Sequence, residues 1–200
     1  KIEDLLKRNK WQVSSYMGKN GTEESFLNMH GKSPKLLHLA THGFYYTPNR
    51  AENVDYLKGY TDAMSLSGLV LSGGNAAWLG KPLPKGVLGG ILSANDIARL
   101  DLSNTDMVVL SACQTGQGKA TAEGLYGLQR AFKKAGVRTI VMSLWNVSDK
   151  TASEFMTTFY ERLADKKNAW NKRKAFEEAK VIIRQRYPEP FHWAAFVMLD

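Results

Sequence analysis

Two short segments decide the fold, and they read Leu36-Leu37-His38-Leu39-Ala40-Thr41-His42-Gly43 and Met107-Val108-Val109-Leu110-Ser111-Ala112-Cys113-Gln114-Thr115-Gly116. Each is an aliphatic run that stops at a reactive side chain followed by turn-forming residues, which predicts two buried strands. In an open parallel sheet, the carboxyl ends of the strands face the crevice where ligands bind. We therefore expect His42 and Cys113 at one edge of one sheet, where an imidazole can raise the nucleophilicity of a thiol.

The remainder of the chain alternates between predicted strands and helices. Strands are expected at residues 35–41, 66–71, 107–112, 139–144 and 193–199, and helices at 122–135, from Ser148 to 165, and in a basic segment that stops before Pro188. A strand, a helix of about a dozen residues and a second strand form a βαβ crossover, which requires parallel neighbours. The sequence therefore predicts an α/β fold of three layers, with a mainly parallel central sheet and helices on both faces.

Residues 44–90 form a long polar, aromatic and glycine-rich connection, in which only residues 66–71 have the pattern of a short strand and Ser72 to Asn75 the pattern of its turn. Connections of this length in a compact domain are usually functional or mobile. We expect this segment to be a mobile cover or activation loop. After it, Ser93 and Asp96 have the spacing of a capping box at the start of a short helix.

Composition limits the class of protein without choosing a function. The 200 residues are 44% hydrophobic and 23% charged, which is ordinary for one globular domain. No apolar stretch reaches the roughly 18 residues that suggest a membrane span. The single cysteine cannot form an internal disulfide, which favours a reducing compartment and hence a cytoplasmic location. Because the chain opens on Lys1 without methionine, we expect it to be the C-terminal part of a longer protein.

The net formal charge of +8 comes mainly from a segment near the C-terminus. Its cations are Lys166, Lys167, Lys172, Arg173, Lys174, Lys180, Arg184 and Arg186. Phe176, Ala179, Ile182 and Ile183 recur within it at helical spacing, which leaves the charges on the opposite face. Such a face is either solvated or docks an acidic partner. No recognisable nucleic-acid motif is present, so direct contact with nucleic acid is not expected.

The two opening segments resemble the paired signatures of the CHAT domain, a caspase-like peptidase domain often attached to tetratricopeptide repeats. The resemblance continues in order along nearly the whole chain, through residues 123–132, 143–149 and 192–197. It implies the caspase-haemoglobinase fold, and a dyad in which Cys113 is the nucleophile and His42 its partner. It also implies an endopeptidase that acts on protein substrates and is regulated by a repeat domain or an activating partner.

The chemistry of a thiol peptidase agrees with this resemblance. A free thiol is mostly protonated at neutral pH, so it needs a base nearby, and the same base can later protonate the leaving amine. The tetrahedral intermediate needs amide donors aimed at its oxyanion. The backbone N–H groups of Gly43 and Cys113 are the candidates, and related peptidases are thought to use these two positions. No carboxylate has an obvious third role.

Each candidate also has a purely structural interpretation. A lone cysteine after an apolar strand is often a small core residue. His38 is expected to be a hydrogen-bonded core histidine, and His192 is expected to be structural. One cysteine and scattered histidines lack the ligand spacing of a zinc site, so we expect neither a metal nor another cofactor.

Substrate preference is predicted from the resemblance to separases, in which the stretch equivalent to residues 144–149 lines the pocket for the residue before the cut. Asp149 at that place would select Arg or Lys, although an acid in the first turn of a helix also suits the helix dipole without any substrate. Asn146 departs from the acidic residue that separases carry there. Glu123 matches a family acid that either braces the cysteine loop or faces the cleft. A catalytically inactive binding module is the alternative to the peptidase, and a redox thiol lacks a resolving cysteine.

Overall fold

The computed structural model describes residues 1–52, 54–83, 87–111 and 122–200, with backbone alone for residues 48, 50, 56 and 122–126. The chain divides into two compact units, which are treated separately below. One comprises residues 1–15 and 146–198, and the other comprises residues 16–145 with 199–200.

The described residues form seven strands and nine helices, joined by short 3₁₀ turns and loops. In chain order they are α1 (Ile2–Arg8), α2 (Glu23–Leu27), β1 (Leu36–Leu39), β2 (His42–Tyr45), α3 (Pro48–Ala51), β3 (Ser67–Val70), α4 (Gly74–Trp78), β4 (Ile91–Ser93), α5 (Ala94–Ala98), β5 (Met107–Leu110), α6 (Ala122–Lys134), β6 (Thr139–Ser143), α7 (Asp149–Ala164), α8 (Lys172–Arg186), α9 (Pro190–Trp193) and β7 (Phe196–Leu199). No helix among them is both long enough and apolar enough to cross a bilayer.

The parallel strands of the larger unit follow the prediction. β1 pairs with β5 from Leu36↔Met107 to Leu39↔Leu110, and β5 pairs with β6 in the same direction. All four residues of β5 are buried, because a parallel sheet covered on both faces needs aliphatic side chains at consecutive positions. The predicted α/β class with a mainly parallel central sheet and surrounding helices is confirmed.

The connection that follows β1 differs from the prediction, because much of it is folded. His42 does not end the first strand but begins β2, which pairs antiparallel with β3, and β3 pairs with β4. The turn expected at Ser72 to Asn75 leads instead into α4, which starts at Gly74. This second sheet has a hydrophobic cluster of its own, whose buried members are Phe44, Ala51, Leu57, Leu66 and Ile91. β3 lies within the strand expected at residues 66–71, whereas β2 and β4 have only four and three residues, too few for a periodic pattern to be visible in the sequence.

Two glycines allow the second sheet to pack closely. A Cβ atom on Gly68 would lie 2.8 Å from the ring of Phe44 and closer still to the carbonyl oxygen of Leu92. A Cβ atom on Gly127 of α6 would lie 3.2 Å from the Cβ of Ser67. Contacts this short exclude a larger residue. The strands β2, β3 and β4 and the helix α6 can therefore pack closely because these two positions have no side chain.

The helix starts predicted at Ser93 and Ser148 are confirmed, and Thr22 caps α2 in the same way. The Thr22 side chain accepts a hydrogen bond from the Ser25 amide (3.2 Å), and that of Ser148 does the same for Thr151 (3.2 Å). Ser93 and Asp96 form the reciprocal capping box at the start of α5. These caps satisfy amides that have no partner in the first turn of a helix.

The other unit contains α1, α7, α8, α9 and most of β7. Its core is aromatic: Phe155 stacks on Phe196 with ring centroids 3.9 Å apart, and Phe176 meets Phe155 edge to face at 5.5 Å. The last strand starts at Phe196 instead of residue 193, since Pro190 opens a short helix before it. Several cations of the basic segment have partners here, among them Arg186 with Glu154 and Lys180 with the Phe196 carbonyl. Part of the basic face is therefore structural.

Candidate active site

His42 lies where the chain leaves the parallel sheet and enters the antiparallel one. β1 ends at Leu39, and β2 begins at His42 after a link of two residues. In that link the Thr41 hydroxyl donates a hydrogen bond to the carbonyl of Val70 on β3. The side chain of His42 is exposed. The fold thus holds the backbone on both sides of His42 in a sheet while presenting the imidazole to solvent.

The register of β2 fixes the direction of the Gly43 amide. The Tyr46 amide donates to the Leu66 carbonyl (2.9 Å), which makes this a hydrogen-bonded pair of the antiparallel ladder. Hydrogen-bonded and non-hydrogen-bonded pairs alternate, so His42 and Val70 form a hydrogen-bonded pair, whereas Gly43 and Leu69 do not. The N–H of Gly43 therefore points away from β3. An amide directed off its own ladder can serve as an oxyanion donor.

Cys113 lies outside the described residues, as does its own N–H group, but the strand that leads to it does not. Leu39 and Leu110 are the last register partners of β1 and β5. His42 follows Leu39 by three residues, and Cys113 follows Leu110 by three residues. Adjacent strands lie about 4.8 Å apart, and three residues of extended chain span at most about 11 Å. The last residues of the two strands, Leu39 and Leu110, therefore lie at the same edge and level of the sheet.

A polar pair lies at the end of the two strands. The Nε2 atom of His38 lies 3.2 Å from the Ser111 hydroxyl oxygen, and the Ser111 amide donates to the Leu39 carbonyl at 3.0 Å. Burial lowers the pKa of His38 to about 4, so its imidazole is neutral at pH 7. His38 is thus the hydrogen-bonded histidine that the sequence predicts, with its side chain largely but not fully buried. The partners Ser111 and Thr41 were not singled out, although each is a hydroxyl residue at the end of an aliphatic run.

The remaining predicted site residues belong to the smaller unit or are incompletely described. Asn146 and Asp149 belong to the smaller unit, where both are exposed. Asp149 is the first residue of α7, directly after the N-cap Ser148, a position where a carboxylate favours the helix dipole. Glu123 is the second residue of α6, and its side chain lies outside the described atoms.

His192 has contacts that agree with a structural role. Its Nδ1 lies 3.5 Å from the Thr151 hydroxyl, its Nε2 lies 3.7 Å from a Glu189 carboxylate oxygen, and its ring packs on Tyr187. These contacts join α9 to the first turn of α7 inside the smaller unit. Across residues 1–52, 54–83, 87–111 and 122–200, no three His, Cys, Asp or Glu side chains gather in a group that could hold a metal ion.

A mainly parallel α/β sheet with helices around it is consistent with a caspase-like class of protein. Comparison with known families agrees, since the family model of the CHAT domain matches residues 1–200. The chain belongs to the CHAT domain family.

Two curated relatives are mammalian. Tetratricopeptide repeat protein 28 of Mus musculus and that of Homo sapiens are each 32% identical to the chain over 111 residues. The match covers 54% of this chain and 4% of each relative, so the chain corresponds to a small part of those proteins.

Proposed function

We propose that the chain is a cysteine endopeptidase domain that hydrolyses peptide bonds through a Cys113–His42 dyad. The observation that carries the proposal is the matched spacing: both residues lie three positions beyond the paired residues Leu39 and Leu110 of neighbouring parallel strands. The exposure of His42 supports it further, because a base must be accessible to the thiol and to the substrate. Membership of a caspase-like family agrees with this chemistry.

In the proposed mechanism, His42 takes the proton of Cys113 and the thiolate attacks the carbonyl carbon of the scissile bond. The N–H of Gly43, together with that of Cys113, donates to the resulting oxyanion. Collapse of the intermediate breaks the C–N bond, and His42 gives its proton to the leaving amine. Water, deprotonated by His42, then hydrolyses the thioester and regenerates the thiol.

The proposal extends to substrate selection, which rests on the family resemblance. Asp149 selects a basic residue before the cut, with Asn146 and Glu123 as further pocket candidates. We expect Asp149→Asn to reduce cleavage after Lys and Arg at least tenfold while cleavage after other residues is unchanged, because a carboxylate pairs with a cation whereas an amide does not. Asp165→Asn is the matched control, since Asp165 is also an acid at a helix N-terminus and accepts from the Lys167 amide. Equal loss after all residues in Asp149→Asn would assign Asp149 to the helix dipole alone.

The proposed setting is a longer cytoplasmic protein in which residues 1–200 act as one peptidase domain under the control of attached repeats or an activating partner. The names of the mammalian relatives support repeats as the attached element. A single cysteine that must remain a free thiol is compatible with a reducing compartment.

The test is cleavage of a mixed peptide library, analysed by mass spectrometry, with the wild-type chain, Cys113→Ala, His42→Ala and His30→Gln. We expect both dyad variants to lose cleavage by at least about 100-fold, since a positioned base contributes 10²–10⁴-fold. His30→Gln is the matched histidine control, because His30 is exposed and accepts a hydrogen bond from the Asp101 amide (3.0 Å). It should retain activity. Cuts that persist in Cys113→Ala would contradict the dyad, and no cuts with any partner present would favour the inactive binding module.

A further inference from the structure

The strands that lead to the two proposed catalytic residues are aliphatic except at one place. The paired residues of β1 and β5 are Leu, Met or Val apart from His38. Burying a polar side chain in such surroundings is unfavourable unless a hydrogen bond compensates for the lost water. The imidazole therefore needs hydrogen-bond partners, and the Ser111 hydroxyl at 3.2 Å from its Nε2 is one of them.

The geometry ties Ser111 to β1 twice. His38 is the register partner of Val109, and side chains two residues apart share a face, so Ser111 lies next along the same face of β5. The Ser111 hydroxyl meets the His38 imidazole, and the Ser111 amide donates to the Leu39 carbonyl (3.0 Å). Ser111 is thus held by both side chain and backbone at the point where the chain leaves the sheet, two residues before Cys113.

The two histidines of β1 and its extension differ in environment. His42 is exposed, whereas burial lowers the pKa of His38 to about 4 and keeps its imidazole neutral at pH 7. A neutral imidazole offers one N–H donor and one acceptor, which suits a fixed hydrogen bond. His38 therefore does not compete with His42 for the proton of a nearby thiol.

We propose that His38 and Ser111 are positioning residues for the nucleophile, and that their hydrogen bond fixes the direction in which the chain leaves β5 and hence the position of the Cys113 thiol relative to His42. This inference rests on the proposed peptidase function. The same strand then sets both members of the dyad, because β1 leads to His42 through Thr41 and holds the chain before Cys113 through His38.

A hydrogen bond at the opposite end of the same strands provides a matched control. The Thr105 hydroxyl, which is fully buried, donates to the Pro34 carbonyl at 2.8 Å. Pro34 precedes β1 and Thr105 precedes β5. Thr105→Val removes a buried hydroxyl contact between the same two segments, far from their carboxyl ends. A role limited to stability predicts that Ser111→Ala and Thr105→Val behave alike.

The experiment compares wild type, Ser111→Ala, Ser111→Thr and Thr105→Val in the full chain at a temperature where all are folded. Measured are kcat and KM on a peptide substrate, and the rate at which iodoacetamide alkylates the Cys113 peptide, followed by mass spectrometry. We expect Ser111→Ala to lower kcat and the alkylation rate about tenfold at unchanged KM, because small misplacements of reacting groups reduce rates strongly. Ser111→Thr, which restores the hydroxyl, should recover most of the loss, and Thr105→Val should lower only the melting temperature.

A double variant tests whether the two residues act through each other. If the hydrogen bond is the cause, His38→Gln with Ser111→Ala should lower kcat no further than Ser111→Ala alone. The proposal would be overturned if the losses of kcat from the two substitutions multiplied in the double variant. It would also be overturned if Ser111→Ala and Thr105→Val had equal values of kcat and equal alkylation rates. Failure of the peptidase function has a different signature. In that case no variant cleaves peptide and His42→Ala leaves the alkylation rate unchanged, while slower alkylation in Ser111→Ala alone would still support positioning of the thiol.

Discussion

The parallel strands β1, β5 and β6 differ from the antiparallel strands β2, β3 and β4 in what surrounds them. Val108, Val109, Ile140 and Val141 are fully buried, and the parallel strands gain their stability from aliphatic burial on both faces. In the antiparallel sheet, Gly68 leaves room for the Phe44 ring, and aromatic side chains such as Trp78 complete a small cluster. Burial of aliphatic side chains accounts for the stability of the parallel strands. The antiparallel sheet depends in addition on the close packing of side chains against glycine.

This difference matters for the site because its two proposed members depend on different sheets. The approach to Cys113 comes from β5, in the centre of the aliphatic strands, while His42 and Gly43 lie on β2 of the tightly fitted sheet. Changes in the aliphatic interior of the first region, away from the His38–Ser111 contact, should therefore affect stability alone, and changes in the second should affect stability and catalysis together.

The largest effect concerns His38, the polar exception in the parallel strands. Its pKa is lowered by burial from 6.5 to about 4, so the unfolded chain binds a proton there before the folded chain does. Stability from this group is complete above pH 6.5 and is lost as the pH falls towards 4, by on the order of 3 kcal/mol. His38→Gln should have a flatter stability profile over that interval, measured by urea unfolding at successive pH values. An unchanged slope would show that His38 has the same pKa in the folded and the unfolded chain.

The second effect concerns Gly68 of the antiparallel sheet. Gly68→Ala places a Cβ 2.8 Å from the Phe44 ring and against the Leu92 carbonyl, so the strands must separate. We expect a loss of about 2 kcal/mol in stability, together with about 100-fold in kcat/KM because β2 carries His42 and Gly43. Enzyme assays on the folded fraction test this.

Ile140→Val on β6 is the control for Gly68→Ala. It removes one methylene from a fully buried site in the parallel strands and should lower stability by about 1 kcal/mol. Its kcat/KM per folded molecule should equal that of the wild type. If Ile140→Val reduced kcat/KM as much as Gly68→Ala, the claim that catalysis depends on the packing of the antiparallel sheet, and not on that of the interior of the parallel strands, would be refuted.

A third effect isolates the aromatic cluster. The Phe44 ring meets Trp78 edge to face, with centroids 5.1 Å apart. Phe44→Leu keeps the side chain apolar but loses this contact, which should cost about 1.5 kcal/mol. Native-state hydrogen exchange should then be faster for amides of β2 and β3 and unchanged for those of β5 and β6. Uniformly faster exchange in both sheets would mean that they open as one cooperative unit.

The sequence predicted the parallel strands well for a physical reason. Uninterrupted aliphatic runs such as Val108 to Leu110 have few alternatives to burial, and a helix between two of them enforces a parallel pair. The sequence did not reveal β2 as a strand, because its four residues include Gly43 and pair with a strand more than twenty residues away. β4 was hidden because Ser93, its last residue, also caps α5, and the capping signal dominates.

The part of the candidate site that could be predicted from the sequence is the part formed by residues that are adjacent in the chain. His42 and Gly43 stand out directly after an aliphatic run, and the register of β2 adds the direction of the Gly43 amide. The contact from Thr41 to the Val70 carbonyl was not predictable, since a backbone acceptor leaves no signal in the sequence. The partnership of His38 with Ser111 requires the register of β1 and β5, which is a tertiary property.

The smallest effect concerns the cap between β4 and α5. Ser93→Ala removes the acceptor of the Asp96 amide (3.2 Å) and should lower stability by about 1 kcal/mol. Ser93→Thr keeps the oxygen and should lose only a fraction of that, as measured by thermal unfolding. Equal melting temperatures for Ser93→Ala and wild type would show that the capping box adds nothing to this sheet.

The most direct test of the central claim, that His42 activates Cys113, is the pH dependence of alkylation of Cys113 in wild type and in His42→Ala. We predict that the wild-type thiol reacts at a high rate well below pH 8.5, and that His42→Ala shifts the midpoint to the value near 8.5 of an ordinary thiol. His30→Gln should follow the wild-type curve. Identical curves for wild type and His42→Ala would contradict the proposed dyad.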